Sequence, residues 1–438
     1  MARKSSILTL FRKISRCTIK AIRSEGDYNM KAKSIRKQQL DFLNWEFGVF
    51  FHFGIRTFYE GHKDWDLQSM PLEGFNPTEL NCERWIADIK EAGAAYAILV
   101  CKHHDGFANW PSRYTEYSVA HTPWKNGRGD VVREFVEACR KYDVKVGLYY
   151  SPAEFGSKNK SAQEYDDYFI NQISELLTGY GRIDYLWFDG CGSENHQYDT
   201  GRITQVIRSL QPDILIFNMW DPDTRWAGNE SGIAQSPNRN WVSDLDFSIQ
   251  TIIKEKLDQI RFLPVECDCR LRLHNWFYSD RDEDTVKSVD ELLGLYELSV
   301  GRGANLLLNV GPDRRGLLPD KDSRHIKEFG AEIRRRYAKP LAESFIREDG
   351  FYTIKTEEPI LVNQIVAAED MTAGEKTGAY RIQIHPFANG APITVYRGEI
   401  IGHKAICSFP AVLTKKIDLV LEDGAGDARI VRMSAYRV

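Results

Sequence analysis

Asp184-Tyr185-Leu186-Trp187-Phe188-Asp189-Gly190 decides how the rest of the chain is read. Tyr185 to Phe188 are consecutive apolar or aromatic residues, too short a run for a helix face and typical of a strand covered on both sides. The run stops at Asp189-Gly190, and the glycines at 190 and 192 allow a sharp turn there. By itself an Asp-Gly pair is an ordinary turn opener. A carboxylate at that place also points out of the carboxyl end of a sheet, where α/β barrels keep their chemistry. The weight of the second reading depends on what the other strand ends carry.

Working outward, strand and helix patterns alternate for about 300 residues. Strands are expected at Phe47–Ile55, Ala95–Cys101, Val144–Tyr150, Asp213–Asn218, Phe262–Glu266 and Asn305–Val310. Between them, helical periodicity covers Glu79–Ala92 (with Thr78 as a cap), Asp130–Tyr142, Ser161–Leu177, Arg202–Leu210, Val289–Val300 and Ser323–Ala338. Met219–Trp241 is long, irregular and rich in Trp, Pro and Asn. Parallel strands with helical crossovers follow, and the size suits an irregular TIM-like (β/α)-barrel. A doubly wound open sheet is the structural alternative. No Gly-rich phosphate fingerprint follows the first strand, which weakens its nucleotide-binding version. After Pro340 short strands succeed one another without helices: Leu361–Ala367, Tyr380–His385, Ile393–Arg397, Lys404–Phe409, Ile417–Leu421 and Ala428–Met433. That pattern reads as an all-β sandwich. The expected organisation is a basic arm at 1–38, a catalytic barrel at 39–340 and a sandwich at 341–438.

Composition narrows the function classes. A net charge of −4 gives no reason to expect nucleic acid or an anionic membrane as partner. No apolar run approaches the ~20 residues that span a bilayer. No secretory segment of about 7–15 apolar residues is recognised at the start, so a cytoplasmic location is expected. The eight cysteines show no compact disulfide pattern, and Cys267-Asp268-Cys269 lacks the second pair of a structural zinc site. Aromatic residues make up 12% of the chain, a surplus that suits a sugar cleft, where ring faces cover C–H faces.

The strand ends are polar. The first carries His52, and the second carries Lys102-His103-His104-Asp105-Gly106-Phe107 with Trp110 beyond. Asp189 ends the fourth, and Glu266 ends the short strand at Phe262. Singly, each has a plain reading: a core histidine, a turn aspartate, a surface glutamate. Jointly, two carboxylates from separate strands, without a metal, nucleotide or Ser/His/Asp pattern, suit glycoside hydrolysis. The histidines then supply donors and acceptors for hydroxyls, and Trp65, Trp110, Trp187, Trp276 and Phe277 supply flat walls.

Four segments carry a family resemblance: Phe47-Gly-Val-Phe-Phe-His52-Phe-Gly54, Lys102–Phe107 with Trp110-Pro-Ser112, Leu186-Trp-Phe-Asp189-Gly190, and Asn305-Leu-Leu-Leu-Asn-Val-Gly-Pro312. Together they resemble the α-L-fucosidases of glycoside hydrolase family 29. Arg225-Trp-Ala-Gly-Asn-Glu-Ser-Gly232, the Glu266…Trp276-Phe-Tyr278 segment and Val362-Asn-Gln-Ile-Val366 are similar to the subgroup that removes α-1,3/1,4-linked fucose from branched glycans. The resemblance implies a retaining exo-α-L-fucosidase acting through a covalent fucosyl-enzyme on a fucosylated oligosaccharide or glycoconjugate, with no cofactor and no metal. It makes Asp189 the nucleophile and Glu266 the general acid/base, about 5–5.5 Å apart as retention requires. It assigns His52, His103 and His104 to the sugar hydroxyls and Asp64, Trp65, Trp187, Arg272 and Trp276 to the rest of the substrate site. Two departures stand out. Asp64 occupies a position where the family usually has Glu, and the run from Cys267 to Asn275 is one residue longer than usual. A broad-specificity α-L-fucosidase, a glycosidase for another sugar on the same scaffold and a non-catalytic fucose-binding homologue are the alternatives.

Overall fold

The computed structural model describes residues 32–61, 69–154, 160–193, 196–249, 254–348, 351–386, 390–424 and 428–438. Most of the basic arm lies outside these residues, as do Asp64 and Trp65.

A short helix, α1 (Lys37–Leu43), precedes strand β1 (Phe47–Phe51). Then follow α2 (Cys82–Ala92), β2 (Tyr96–Lys102), α3 (Val131–Lys141), β3 (Lys145–Tyr150), α4 (Ala162–Gly179), β4 (Tyr185–Phe188), α5 (Thr200–Leu210) and β5 (Leu215–Phe217). These helices start where side chains can take up unpaired backbone N–H groups. Asp130 caps α3, Ser161 and Glu164 form a capping box on α4, and Asp199 caps α5. The cap of α2 is Asn81, whose Oδ1 accepts from the Arg84 N–H at 2.9 Å, in place of the expected Thr78.

The irregular stretch beyond β5 contains a two-residue strand, β6 (Arg225–Trp226). An antiparallel ribbon follows, β7 (Trp241–Leu245) with β8 (Glu255–Phe262), and then β9 (Val265–Arg270), α6 (Val289–Ser299), β10 (Asn305–Val310) and α7 (Asp320–Tyr337). Eight parallel strands run in the order β5-β4-β3-β2-β1-β10-β9-β6. A single parallel bridge, Phe217 to Thr224, brings the two ends together, so the barrel is nearly closed.

The structure departs from the sequence pattern at a place that bears on the site. The strand expected to end at Glu266 is two strands. Phe262 ends β8, Pro264 lies between, and Glu266 is the second residue of β9. Proline donates no N–H and so interrupts a ladder. Glu266 therefore sits at the amino end of a barrel strand, level with Asn305 and Trp226, the first residue of β10 and the last of the short β6.

Inward side chains stack in layers, as closed parallel barrels require. The lowest layer holds Tyr96, Tyr185 and Glu266, with Phe42 of α1 set against the two tyrosine rings at 6.0 and 5.3 Å. Gly48 leaves the space that Tyr96 fills, since a Cβ there would stand 2.4 Å from its ring. Above lie Phe50, Tyr149, Trp187, Phe217 and Asp268, and then His52 and Asp189 at the carboxyl ends.

Beyond the barrel come β11 (Phe345–Glu348), β12 (Phe351–Glu369), β13 (Ala379–Ile384), β14 (Ile393–Gly398), β15 (Ala405–Asp423) and β16 (Ile430–Tyr436), paired antiparallel around their own apolar core. The strands expected at Lys404–Phe409 and Ile417–Leu421 are one continuous strand. Its polar middle stays paired, because Thr414 donates to the His385 carbonyl at 3.1 Å and bulges in β12 absorb the mismatch. Lys404 and Glu46 link the two regions through an ion pair of 2.8 Å.

Candidate active site

A pocket opens at the carboxyl end of the barrel, lined by His52, His103, His104, Trp187, Asp189 and Trp276 among others. The structure thus brings together six residues that sequence reasoning picks from four separate segments. Each lies in the last residues of a strand or just past its end, or in the loop after β9 (Trp276), so the barrel's own geometry aims them at one mouth.

Asp189 is the best-held group. Its Oδ1 accepts from the Cys191 N–H at 2.9 Å, and its Oδ2 accepts from the Tyr149 hydroxyl at 2.9 Å with His104 Nε2 at 3.5 Å. Burial alone would raise this carboxyl. The His104 contact, the Cys191 N–H and the Tyr149 hydroxyl outweigh it and hold the carboxyl below its usual range. About a quarter of the side chain, 26%, remains exposed, so an ionised oxygen faces the pocket.

His104 is held in place by Ser151. Ser151 Oγ donates to the Ala153 carbonyl at 2.7 Å, and His104 Nδ1 lies 2.5 Å from the same oxygen. The serine has one proton, already committed, so Nδ1 donates to its oxygen, and this bond turns Nε2 towards Asp189. His52 Nδ1 bonds Asn309 Oδ1 at 2.6 Å. Burial pushes the His52 ring down to about 3 and the His103 ring well below its ordinary value. Both are neutral at pH 7, each with one donor and one acceptor nitrogen.

The walls are aromatic. Trp187 is sandwiched between Phe217, 4.1 Å away at 10°, and Tyr149, 5.3 Å away at 25°. Trp276 lies 5.1 Å from the His52 ring, with the Arg270 guanidinium 5.3 Å from its own. Arg270 also stands 4.0 Å from a carboxylate oxygen of Glu230.

Two acids that sequence reasoning did not pick line the same pocket, Glu230 and Asp268. Glu230 is carried on the loop after β6 and keeps 28% of its side chain exposed. Asp268 is buried and accepts from Trp226 Nε1 at 2.7 Å. Burial drives its carboxyl well above the usual range, the negative charge of Glu230 adds to this, and the Trp226 bond only partly opposes it. Asp268 is therefore pushed towards its protonated form. The available signal for Glu230 was the segment Arg225–Gly232, which had been singled out without a role for its glutamate.

Glu266 is not at this mouth. It is 0% exposed, two residues below Asp268 on the same strand face, and forms no part of the pocket lining. Tyr96 donates to its Oε2 at 2.6 Å, and Trp187 Nε1 donates to its Oε1 at 2.7 Å. The Trp187 indole thus has its N–H on Glu266 and a side on the pocket. Burial raises the Glu266 carboxyl to about 7, against the pull of Tyr96, Trp187 and Tyr185.

Arg272 also lies elsewhere. Its guanidinium is enclosed by Asp322 at 2.9 Å and Asp282 at 3.2 Å, and it donates to the Ser279 carbonyl at 3.1 Å. Its three partners fix the loop that carries Trp276. Trp110, expected as a wall, is buried and donates to Glu175 at 3.0 Å outside the pocket.

The sequence matches the family model described as Alpha-L-fucosidase over residues 16–336. It is 28% identical to Alpha-L-fucosidase 1 of Arabidopsis thaliana, over 90% of this chain and 86% of that protein. Tissue alpha-L-fucosidase of Bos taurus is 26% identical, over 62% of each chain. Among solved structures, a glycoside hydrolase 29 family member from an unknown rumen bacterium is 30% identical and superposes with a TM-score of 0.82, covering 93% of this chain and 78% of that one.

Proposed function

The chain belongs to the α-L-fucosidase family of glycoside hydrolases, and from that premise we propose a retaining double displacement with Asp189 as nucleophile and Glu230 as general acid/base. The observation that carries this reading is the pairing in one pocket of an ionised, multiply held carboxylate with a second, partly exposed one on a loop. Asp189 attacks the anomeric carbon as Glu230 protonates the departing oxygen. Glu230 then takes a proton from the water that releases fucose. Glu266 is replaced in this role because Trp187 lies between it and the pocket. His52, His103 and His104 meet the sugar hydroxyls, and Trp187 and Trp276 cover its apolar face. Asp64 and Trp65, also expected to contact the sugar, lie outside the described residues.

The substrate is terminal α-1,3/1,4-linked L-fucose on branched glycans. In support, the segment that resembles that subgroup, Arg225–Gly232, supplies Trp226 and Glu230 to the pocket wall.

The test is release of free fucose from Lewis a, Lewis x and 2′-fucosylated oligosaccharides, with Asp189→Asn alongside. The expected result is release from the first two and none by the variant. Equal release from all three would replace linkage preference with broad specificity, and normal turnover by Asp189→Asn would remove the mechanism.

A further inference from the structure

Cys191 contributes more to the pocket than a backbone N–H. Among the described cysteines it alone is not buried, and it lines the pocket. His104, Asp189 and Cys191 each offer one ligand atom, and these atoms lie within 4.8 Å of one another. Nitrogen, oxygen and sulfur donors in one cluster match a borderline cation such as zinc, which favours His, carboxylate and thiolate together.

The cluster is oriented as a metal site would be. Ser151 holds His104 Nδ1, the partner that fixes the ring and turns Nε2 inward, as outer hydrogen bonds do for metal-bound histidines. Zinc bonds of about 2.0–2.3 Å give tetrahedral edges of roughly 3.3–3.8 Å. The His104–Asp189 distance is already 3.5 Å, so the thiol needs a side-chain rotation of about 1 Å.

We propose that this pocket binds one zinc ion through His104 Nε2, Asp189 Oδ2 and Cys191 Sγ, and that zinc is thereby a reversible inhibitor competing with fucose. On binding, the thiol proton passes to solvent and the thiolate takes the metal. The doubly charged cation is matched by one carboxylate and one thiolate, and the fourth position, facing the pocket, is left to water. Competition with fucose rests on Asp189 being the nucleophile proposed above, whereas zinc binding itself does not.

The experiment titrates the full chain with zinc chloride by calorimetry, and with cobalt(II) by absorbance, for wild type, Cys191→Ala and Cys191→Ser. Wild type should bind one equivalent and show a thiolate-to-cobalt charge-transfer band. Both variants should lose that band and bind zinc about 10–100-fold more weakly, at least the cost of losing an outer partner. Excess fucose should weaken zinc binding to wild type. No stoichiometric binding by wild type, or unchanged affinity in both variants, would overturn the site. Absence of fucosidase activity in the zinc-free chain, with zinc binding retained, would count against the function and leave the site standing.

Discussion

Replacing Glu230 and Glu266 separately by Gln distinguishes the pocket acid from the buried one. Each change keeps the side chain's shape and removes its ability to shuttle a proton. Loss of a general acid/base slows turnover about 10²–10⁴-fold, and that is the expected loss for Glu230→Gln on a natural glycan. Glu266→Gln acts on different contacts. The amide oxygen can still accept from Trp187, whose bond to Glu266 is 2.7 Å. The amide nitrogen then faces the Tyr96 hydroxyl, which becomes an acceptor and leaves its own proton unpaired, at a cost of about 1–3 kcal/mol in stability. Turnover should stay within about tenfold of wild type, equivalent to about 1.4 kcal/mol in the barrier. Azide makes the distinction sharper. With Glu230→Ala it should restore cleavage of an activated aryl fucoside and yield α-fucosyl azide, entering from the face that the leaving group vacated. With Glu266→Ala it should restore nothing. A 10²–10⁴-fold loss in Glu266→Gln, rescued by azide in Glu266→Ala, with Glu230→Gln near wild type, would refute the reasoning.

Three further outcomes follow from the same structure. Glu266 has a raised folded carboxyl, about 7 against an ordinary 4.5, so the native chain binds the extra proton and stability falls as pH rises from 4.5 towards 7; relative to wild type, Glu266→Gln should gain about 3 kcal/mol between pH 4.5 and pH 8 in denaturant titrations, and no relative gain would contradict the burial. Gly48→Ala puts a Cβ 2.4 Å from the Tyr96 ring, and the overpacking should cost about 1–3 kcal/mol by thermal melting. Arg272→Met leaves Asp282 and Asp322 buried without their cation, so stability should drop about 3–5 kcal/mol; a variant of unchanged melting temperature and raised KM would return Arg272 to the substrate.

The barrel was legible because its strands are short apolar runs between helices with clear periodicity and caps. Asp189 was legible because a buried strand, Tyr185 to Phe188, ends on it and a glycine follows. The histidines were legible for the same reason, each lying just past a strand end. The place of Glu266 in its strand was not legible, because a strand's end is inferred from where the apolar run stops. The ladder continues through Cys267-Asp268-Cys269-Arg270, a stretch whose charges would ordinarily mark a loop. Those residues stay in the strand because Trp226 bonds Asp268, and neighbouring β10 holds the register throughout. Neither contact has a local signature. Glu230 was hidden for a different reason. β6 is only two residues long and makes no apolar run, so the loop after it did not read as a strand end.

The two-residue step along β9 from Glu266 to Asp268 shows how the barrel sorts its acids. Both point inward, and both are pushed towards the neutral form by burial. The lower one is enclosed by two tyrosines and an indole N–H, and the upper one meets a single indole N–H and the pocket. At the rim, Asp189 has a backbone N–H, a hydroxyl and a histidine within reach, and the balance tips the other way, to an ionised carboxylate. A sugar entering this pocket therefore meets a negative charge at Asp189, while Asp268 is pushed away from carrying a second one. In the double displacement proposed above, an oxocarbenium-like centre would be stabilised by the nearer anion, and the push of Asp268 towards its neutral form would limit like-charge repulsion beside Glu230. Asp268→Asn tests this division. It preserves the neutral form and should leave most turnover intact. A loss as large as that of Asp189→Asn would mean that Asp268 works as an anion.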